Sequence, residues 1–296
     1  MRIDLHTHST VSDGTDPPDA LVRNAVAAGL DVIALTDHDA FDGWDAAMAT
    51  GHDHGLVVIG GVEISTTFNG AGVHLLAYLP DPTYQPLATE LQRIRIHRIG
   101  RLALIIDRLA GIDVHITEQD VLAAASRASS LGRPHVADAL VARGYVRDRG
   151  EAFTRWLAEG GPAYVPKYSP STSDAIALVR GAGGAAVLAH PWGRSSRRVL
   201  TPTAVEELVE AGLAGLEVDH DDHDQADRAG LRALAAHLDL IVTGSSDHHG
   251  TGKLGHELGR NTTAPNQYDR LLERAEREAA ASRGPGPADE TSSGAA

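Results

Sequence analysis

The feature that most limits what this chain can become is a set of short apolar runs that recur along it. Val32-Ile33-Ala34-Leu35-Thr36, Ala185-Ala186-Val187-Leu188-Ala189 and Leu240-Ile241-Val242-Thr243 contain no charged residue. A strand with one wet face alternates polar and apolar positions, so a continuous run is that of a strand covered on both faces. Helical stretches separate these runs. The cap and prolines Thr15-Asp16-Pro17-Pro18 open a helix over 19–28, which Gly29 stops, and a second helix covers 44–54. Further strands are expected at 3–6, at 56–59 and 62–65 as one strand or a pair, at 73–78 and at 215–218. Repeated strand–helix units imply a mostly parallel sheet, open or closed.

From about Pro80 to Tyr168 the rhythm changes. Leu87, Leu91, Ile94, Leu102, Ile105, Ile106 and Leu109 recur at helical spacing, Thr117 opens another helix, and short helices are expected at 135–143 and 151–159. The expected organisation is therefore a barrel from 1–79 and 169–282, a helical insertion over 80–168, and a disordered Gly-, Pro- and Ser-rich tail over 283–296.

Bulk properties exclude several classes. No apolar run approaches the roughly 20 residues that span a membrane, and no signal peptide precedes Met1-Arg2-Ile3-Asp4. The chain has no cysteine, which removes disulfides and thiolate metal sites and fits a cytoplasmic protein. With Lys+Arg 26 against Asp+Glu 40, the net charge of −14 disfavours long double-stranded nucleic acid as a partner. A small phosphorylated ligand in a local pocket stays open.

The 16 histidines are unusual, and their places are informative. His6 and His8 end the first strand, with Asp13 in the loop after it. Asp37 and His38 end the second. Glu63 and His74 belong to the third and fourth. His190 follows Val187-Leu188-Ala189, and Asp247 and His249 follow Ile241-Val242-Thr243-Gly244. In a parallel barrel the strand ends converge on one rim, where such folds place their chemistry. One His-x-His is more often a pair of satisfied loop histidines than a metal site, but the same pattern at five strand ends is hard to explain so. Imidazole nitrogen with carboxylate oxygen suits manganese, zinc or iron. The set His6, His8, Asp13, His38, Glu63, His74, His190, Asp247 and His249 exceeds one tetrahedral site, so two or three divalent cations are expected. Such multi-metal centres serve phosphate-ester hydrolysis.

The stretches Asp4-Leu5-His6-Thr7-His8-Ser9, Leu35-Thr36-Asp37-His38, Gly61-Val62-Glu63-Ile64, His74-Leu75-Leu76, Ala189-His190-Pro191 and Ser246-Asp247-His248-His249 resemble the PHP (polymerase and histidinol phosphatase) family, across nearly the whole barrel. The resemblance implies a distorted (β/α)7 barrel, a fold of the α/β class, with a helical insertion and two or three metals. It places His6, His8, Glu63 and Asp247 on one cation. Glu63, His74 and His190 would serve a second, and Asp13, His38 and His249 a third. A water activated by the cations would be the nucleophile, and Asp37 would orient a ligand histidine. Relatives usually carry an aromatic residue where His248 stands. Within the family the insertion, with Gly132-Arg133-Pro134-His135 and Ala163-Tyr164-Val165-Pro166-Lys167-Tyr168, is similar to that of enzymes acting on 3′,5′-bisphosphonucleosides and short RNA 5′ ends. It implies substrate contacts from Arg133, His135 and Lys167, and rim contact from His223. Bland roles compete: a helix cap for Arg133, a solvated loop for Lys167, and loop solvation and helix capping for the acids of Glu217-Val218-Asp219-His220-Asp221-Asp222-His223-Asp224, a run after a strand for which rim and substrate contact outweighs direct metal binding. The alternatives to a nucleotide phosphoesterase are a phosphatase acting on histidinol phosphate and a non-catalytic metal-binding scaffold.

Overall fold

The computed structural model describes residues 1–125, 132–166, 168–193 and 196–283. Lys167 and the tail from 284 onward lie outside the described residues. One seven-stranded sheet runs in chain order from β1 (Ile3–Thr7) through β2 (Val32–Leu35), β3 (Val57–Phe68), β4 (Ala71–Tyr78), β5 (Ala185–Leu188) and β6 (Gly215–Asp219) to β7 (Ile241–Gly244). A parallel bridge between Thr7 and His248, with His8 N donating to His248 O at 2.8 Å, brings the end of β7 back to β1. The sheet is thus a nearly closed barrel.

The continuous apolar runs are covered on both faces, as their composition requires. In β2, Val32 and Ala34 pack with Leu76, Tyr78 and Val187 across the lumen, while Ile33 and Leu35 pack outward with Leu21, Val22 and Trp44. Those outer partners come from α1 (Pro18–Ala27) and α2 (Trp44–His54). Tyr268, Leu271 and Ala275 of a terminal helix, Pro265–Ser282, join the luminal cluster. Helices α1, Pro202–Glu210 and Pro265–Ser282 each place a proline in their first turn, where no N–H is needed. The first of these is capped by no side chain, so Thr15 does not serve as the expected cap.

One strand departs from the parallel expectation. The stretches expected at 56–59 and 62–65 form one strand, the 12-residue β3, which folds back into β4 as an antiparallel hairpin; β4 also pairs antiparallel with β5. The turn is Asn69-Gly70, with φ of 46° and 79°. Two successive positive φ values make a type I′ turn, and Asn-Gly is the dipeptide that adopts it at least cost.

The insertion is built on α3 (Gln85–Ala110), α4 (Glu118–Ala124), α5 (Arg133–Ala142), the short α6 (Arg149–Ala152) and a π-helical turn, Phe153–Leu157. Thr117 and Asp120 form a reciprocal capping box on α4. Leu102, Ile105 and Leu109 join Val136, Leu140, Trp156 and Leu157 in a core of the insertion's own. The first half of α3 behaves differently: Leu87, Leu91 and Ile94 pack on the barrel with Val62, Leu75 and Ile176. The helix therefore straps one body to the other.

Candidate metal centre

The ends of β1, β2, β5 and β7 and the middle of the β3–β4 hairpin place the histidines and acids at one rim. His6, His8 and Glu63 are at most 1% exposed. Their donor atoms face one another. His6 Nε2 lies 3.0 Å from His8 Nε2, 3.1 Å from Glu63 Oε2 and 3.4 Å from Asp247 Oδ1. His8 Nε2 lies 3.2 Å from the same Glu63 oxygen and 3.3 Å from the same Asp247 oxygen. A tetrahedron whose vertices stand about 2.0 Å from a central zinc has edges of about 3.3 Å. Four donors at this spacing fit a cation closely.

The other carboxylate oxygen of Glu63 faces the opposite way. Its Oε1 lies 2.7 Å from His74 Nδ1 and 3.2 Å from His190 Nε2. His38 Nδ1 stands 3.2 Å from Glu63 Oε2 yet is buried with no hydrogen-bond partner. Donors that converge off-axis are satisfied by a shared cation rather than a proton, so this orphaned nitrogen supports the fit. A further group joins His8, Asp13, His38 and His249, with His249 Nε2 3.3 Å from Asp13 Oδ1. His38 thus belongs to two groups, where the resemblance assigned it to one. His249, rather than His248, faces Asp13; His248 Nδ1 donates to His256 O at 2.8 Å.

Electrostatics tie the acids and imidazoles of the set to one another. Burial would raise the Glu63 carboxyl, but His38, His74 and His6 reverse this and hold it well below the usual carboxylate range. Asp13 is likewise held down, with His249 and His38 overcoming its burial. Burial brings His38 down to about 3, leaving a neutral imidazole. Burial would lower His6 and His8, but Glu63 and Asp247 hold His6 well above the usual imidazole range and His8 at about 9, so both would release a proton when a cation binds.

The surrounding shell fixes these donors. Asp37 was expected to orient a histidine. Instead its Oδ1 accepts from Ser9 N at 2.8 Å and Ser12 Oγ at 2.6 Å, and its Oδ2 accepts from Ser9 Oγ at 2.6 Å. It clamps the loop between His8 and Asp13. Gly14 closes that loop, where a Cβ would come within 2.5 Å of His8 O. His190 and Asp247 adopt φ of 30° and 52°, sparsely populated backbone retained at a functional site.

Several residues take roles that the sequence reading did not assign them. Glu217, wholly buried in β6, accepts from His6 Nδ1 at 3.0 Å and from His190 N at 2.7 Å. It therefore sets the tautomer and angle of a ligand imidazole. A charged residue inside Gly215-Leu216-Glu217-Val218 was the available signal. Asp247 Oδ2 faces Lys253 and, at 3.2 Å, His220 Nε2. Because Asp222 N donates to His220 Nδ1, the proton lies on Nε2, and His220 donates to Asp247. Glu217→Gln is expected to weaken cation affinity about 10–100-fold with the fold intact. Chelator competition measures this, and wild-type affinity would show that packing alone orients His6.

The expected substrate contacts divide. His223 uses both ring nitrogens on backbone, Nδ1 toward Val218 O at 2.9 Å and Nε2 accepting from Trp192 N at 3.2 Å. It pins two loops and offers no nitrogen to a ligand. Arg133 donates to Leu157 O at 2.8 Å, and its guanidinium stands over the Tyr164 ring at 5.2 Å. His135 Nδ1 accepts from Gly132 N at 3.0 Å, which leaves the proton on Nε2. Lys167 lies outside the described residues.

Comparison with known proteins agrees with this geometry. Residues 4–128 match the model of the PHP domain. The chain is 32% identical to the 3′,5′-nucleoside bisphosphate phosphatase of Chromobacterium violaceum over 89% of its length and 93% of the relative's. It is 33% identical to a 5′-3′ exoribonuclease of Haemophilus influenzae over 84% of its own length and 90% of the other. Among solved structures, an inferred metal-dependent phosphoesterase of Bifidobacterium adolescentis superposes with a TM-score of 0.89 at 38% identity, covering 92% of this chain and 96% of that one. The barrel, its rim of histidines and acids and these relatives together make the chain a member of the PHP family.

Proposed function

We propose that this protein is a metal-dependent phosphoesterase that hydrolyses phosphate from small nucleotides, 3′,5′-bisphosphonucleosides foremost, using two or three divalent cations of the manganese, zinc or iron type. The observation that carries the reading is Glu63. One buried carboxylate turns Oε2 to His6, His8 and His38, and Oε1 to His74 and His190. A carboxylate placed so can be shared between two cations. His6, His8, Glu63 and Asp247 would hold one, and Glu63, His74 and His190 the next. Asp13 and His249, with His8 and His38 turned toward them, would hold a third. Bound cations supply an activated water and neutralise phosphoryl charge, so no serine or cysteine nucleophile is needed.

The chain's own residues then hold and orient the substrate. The Nε2 proton of His135 is a donor suited to a phosphoryl oxygen, and Arg133 adds a planar guanidinium. Glu217, His220 and Lys253 keep the ligand side chains from turning away. Similarity to a bisphosphate phosphatase supports the substrate class, and the exoribonuclease relative supports short RNA 5′ ends as further substrates. The first carries a terminal phosphomonoester and the second an internucleotide phosphodiester, and the same rim would act on either. Fully assembled ligand groups weigh against a scaffold that has lost its chemistry. Among the described residues no helix is long and apolar enough to cross a membrane.

Phosphate release from adenosine 3′,5′-bisphosphate, AMP and histidinol phosphate, compared side by side with and without manganese, tests the proposal. Release from the bisphosphate, abolished by a chelator, is expected. Faster release from histidinol phosphate would move the assignment to that substrate, and silence on all three would remove the phosphatase reading.

A further inference from the structure

The insertion reaches the metal rim at two places. Through α3, where Arg98 and Arg101 are buried, Arg98 pairs with Asp39 beside His38. The second place is Arg149, the first residue of α6, whose side chain is 17% exposed. One edge of its guanidinium forks onto Asp138 of α5, with Nε to Oδ1 and Nη2 to Oδ2 each at 2.6 Å. The remaining nitrogen, Nη1, leaves the insertion altogether. It donates to Asp13 O at 3.2 Å and to Gly252 O at 3.3 Å. Burial would lower this guanidinium, but Asp138 and then Asp13 raise it above the usual arginine range.

The two carbonyls belong to loops that carry ligands of one group. His6, Glu63 and His74 lie on strands of the barrel itself. Among the ligand residues, Asp13 and His249 stand furthest along the chain from a strand end. Ligands on strands are held by the sheet, whereas ligands on loops need other support. Here the loops support each other. Thr15 N and Gly252 N both donate to His249 O at 3.2 Å, and Thr251 N donates to Thr15 Oγ1 at 2.9 Å. Across that junction Asp13 Oδ1 faces His249 Nε2 at 3.3 Å. Arg149 joins the same two loops once more. Gly252 leaves room for it, since an added Cβ there would stand 2.5 Å from Nη1.

We infer that Arg149 is a positioning residue for the cation of the Asp13 and His249 group, and that it makes filling of that site and docking of α5 and α6 on the rim favour one another. The inference rests on the metal-dependent reading above. An arginine fits the task, because its planar fork can grip Asp138 and still turn a nitrogen to two carbonyls, which a lysine ammonium cannot do. Coupling of this kind is reciprocal: the cation holds the insertion down by as much as the insertion tightens the cation.

The test uses the full-length protein, freed of metal and titrated with manganese, with each class of site resolved by calorimetry. Wild type is expected to take up a third ion besides the two that Glu63 would share. Arg149→Met should weaken the loosest ion by about 10–100-fold, the usual cost of losing a partner that orients a ligand, and leave the tighter ones unchanged. Hydrogen exchange over residues 138–152 should slow as that last site fills in wild type, and not in the variant. A purely stabilising role is separated by Arg149→Met/Asp138→Leu, where an apolar pair replaces the ion pair. The double variant should recover Tm without recovering the last ion. Absence of a third ion on wild type would overturn the inference, as would equal manganese binding by Arg149→Met or equal weakening of every site. So would return of the last ion together with Tm in the double variant. Wild-type phosphate release from the bisphosphate would still stand in each of those cases. Conversely, Arg149-dependent uptake without any hydrolysis would keep the coupling and discard the proposed reaction.

Discussion

Glu63→Gln is expected to leave a folded protein that holds fewer cations and turns over at least about 10³-fold more slowly. The argument rests on how many donors this one group faces. Its Oε2 stands 3.1–3.2 Å from nitrogens of His6, His8 and His38, and its Oε1 stands 2.7 Å from His74. Losing a single orienting partner of a metal ligand already costs about 10–100-fold. Here the lost charge belongs to two groups at once, so the losses compound. Glutamine keeps the volume, and Glu63 lies at the rim rather than in an apolar cluster, so packing should be preserved. Its amide offers one neutral oxygen where two anionic ones stood, and the amide nitrogen is no ligand at all. Metal content by mass spectrometry and kcat on a bisphosphonucleoside, measured on the same sample, decide the matter. A variant that retained full cation content would show that the histidines and Asp247 suffice, and the shared-carboxylate account would fall.

The parts of this centre that were legible in the sequence share one property: they are written by position on a strand. His6, His38, His190 and Asp247 each lie at or just past the end of a strand, and three of those strands are announced by apolar runs. What stayed hidden depends on contacts between distant segments. Glu217 looked like one more acid in an acidic stretch, because nothing local reveals that His6 lies 211 residues earlier and 3.0 Å away. Asp37 was expected to orient a histidine, and its bonds to Ser9 and Ser12 instead follow from how the loop folds beneath it. His223 was expected at the rim from the resemblance, yet the backbone claims both of its nitrogens. Arg101 was invisible for a different reason. An arginine on a long amphipathic helix reads as solvated surface, yet Arg101 is only 6% exposed. The antiparallel β4 was the one fold feature with an overlooked local signal, the Asn69-Gly70 turn.

Arg98→Met is expected to cost about 3 kcal/mol of stability and to disturb the rim, while the double variant Arg98→Met/Asp39→Asn should regain most of that loss. Arg98 is 9% exposed and Asp39 is wholly buried. Removing one member of such a pair strands the other as an uncompensated buried charge, at a cost of about 3–5 kcal/mol. The lower end applies because Ser65 N still donates to Asp39 at 2.7 Å and Ser65 Oγ at 3.1 Å. Asparagine removes the stranded charge and can still accept from Ser65 N. It also tolerates the local backbone, since Asp39 sits at φ 54°, a conformation asparagine adopts readily. The location makes the pair more than a stabilising contact. Arg98 stands on α3 between Ile94, which packs on the barrel, and Leu102, which packs in the insertion's own core. Its partner Asp39 directly follows His38, whose nitrogens face Glu63 at 3.2 Å and Asp13 at 3.8 Å. Holding the insertion in place and holding a ligand loop in place are therefore one interaction. Urea unfolding of the two single variants and the double gives the coupling energy, read from midpoints at constant slope. Strictly additive losses would mean that Arg98 and Asp39 act independently, and that the seam is maintained by the apolar contacts of α3 alone.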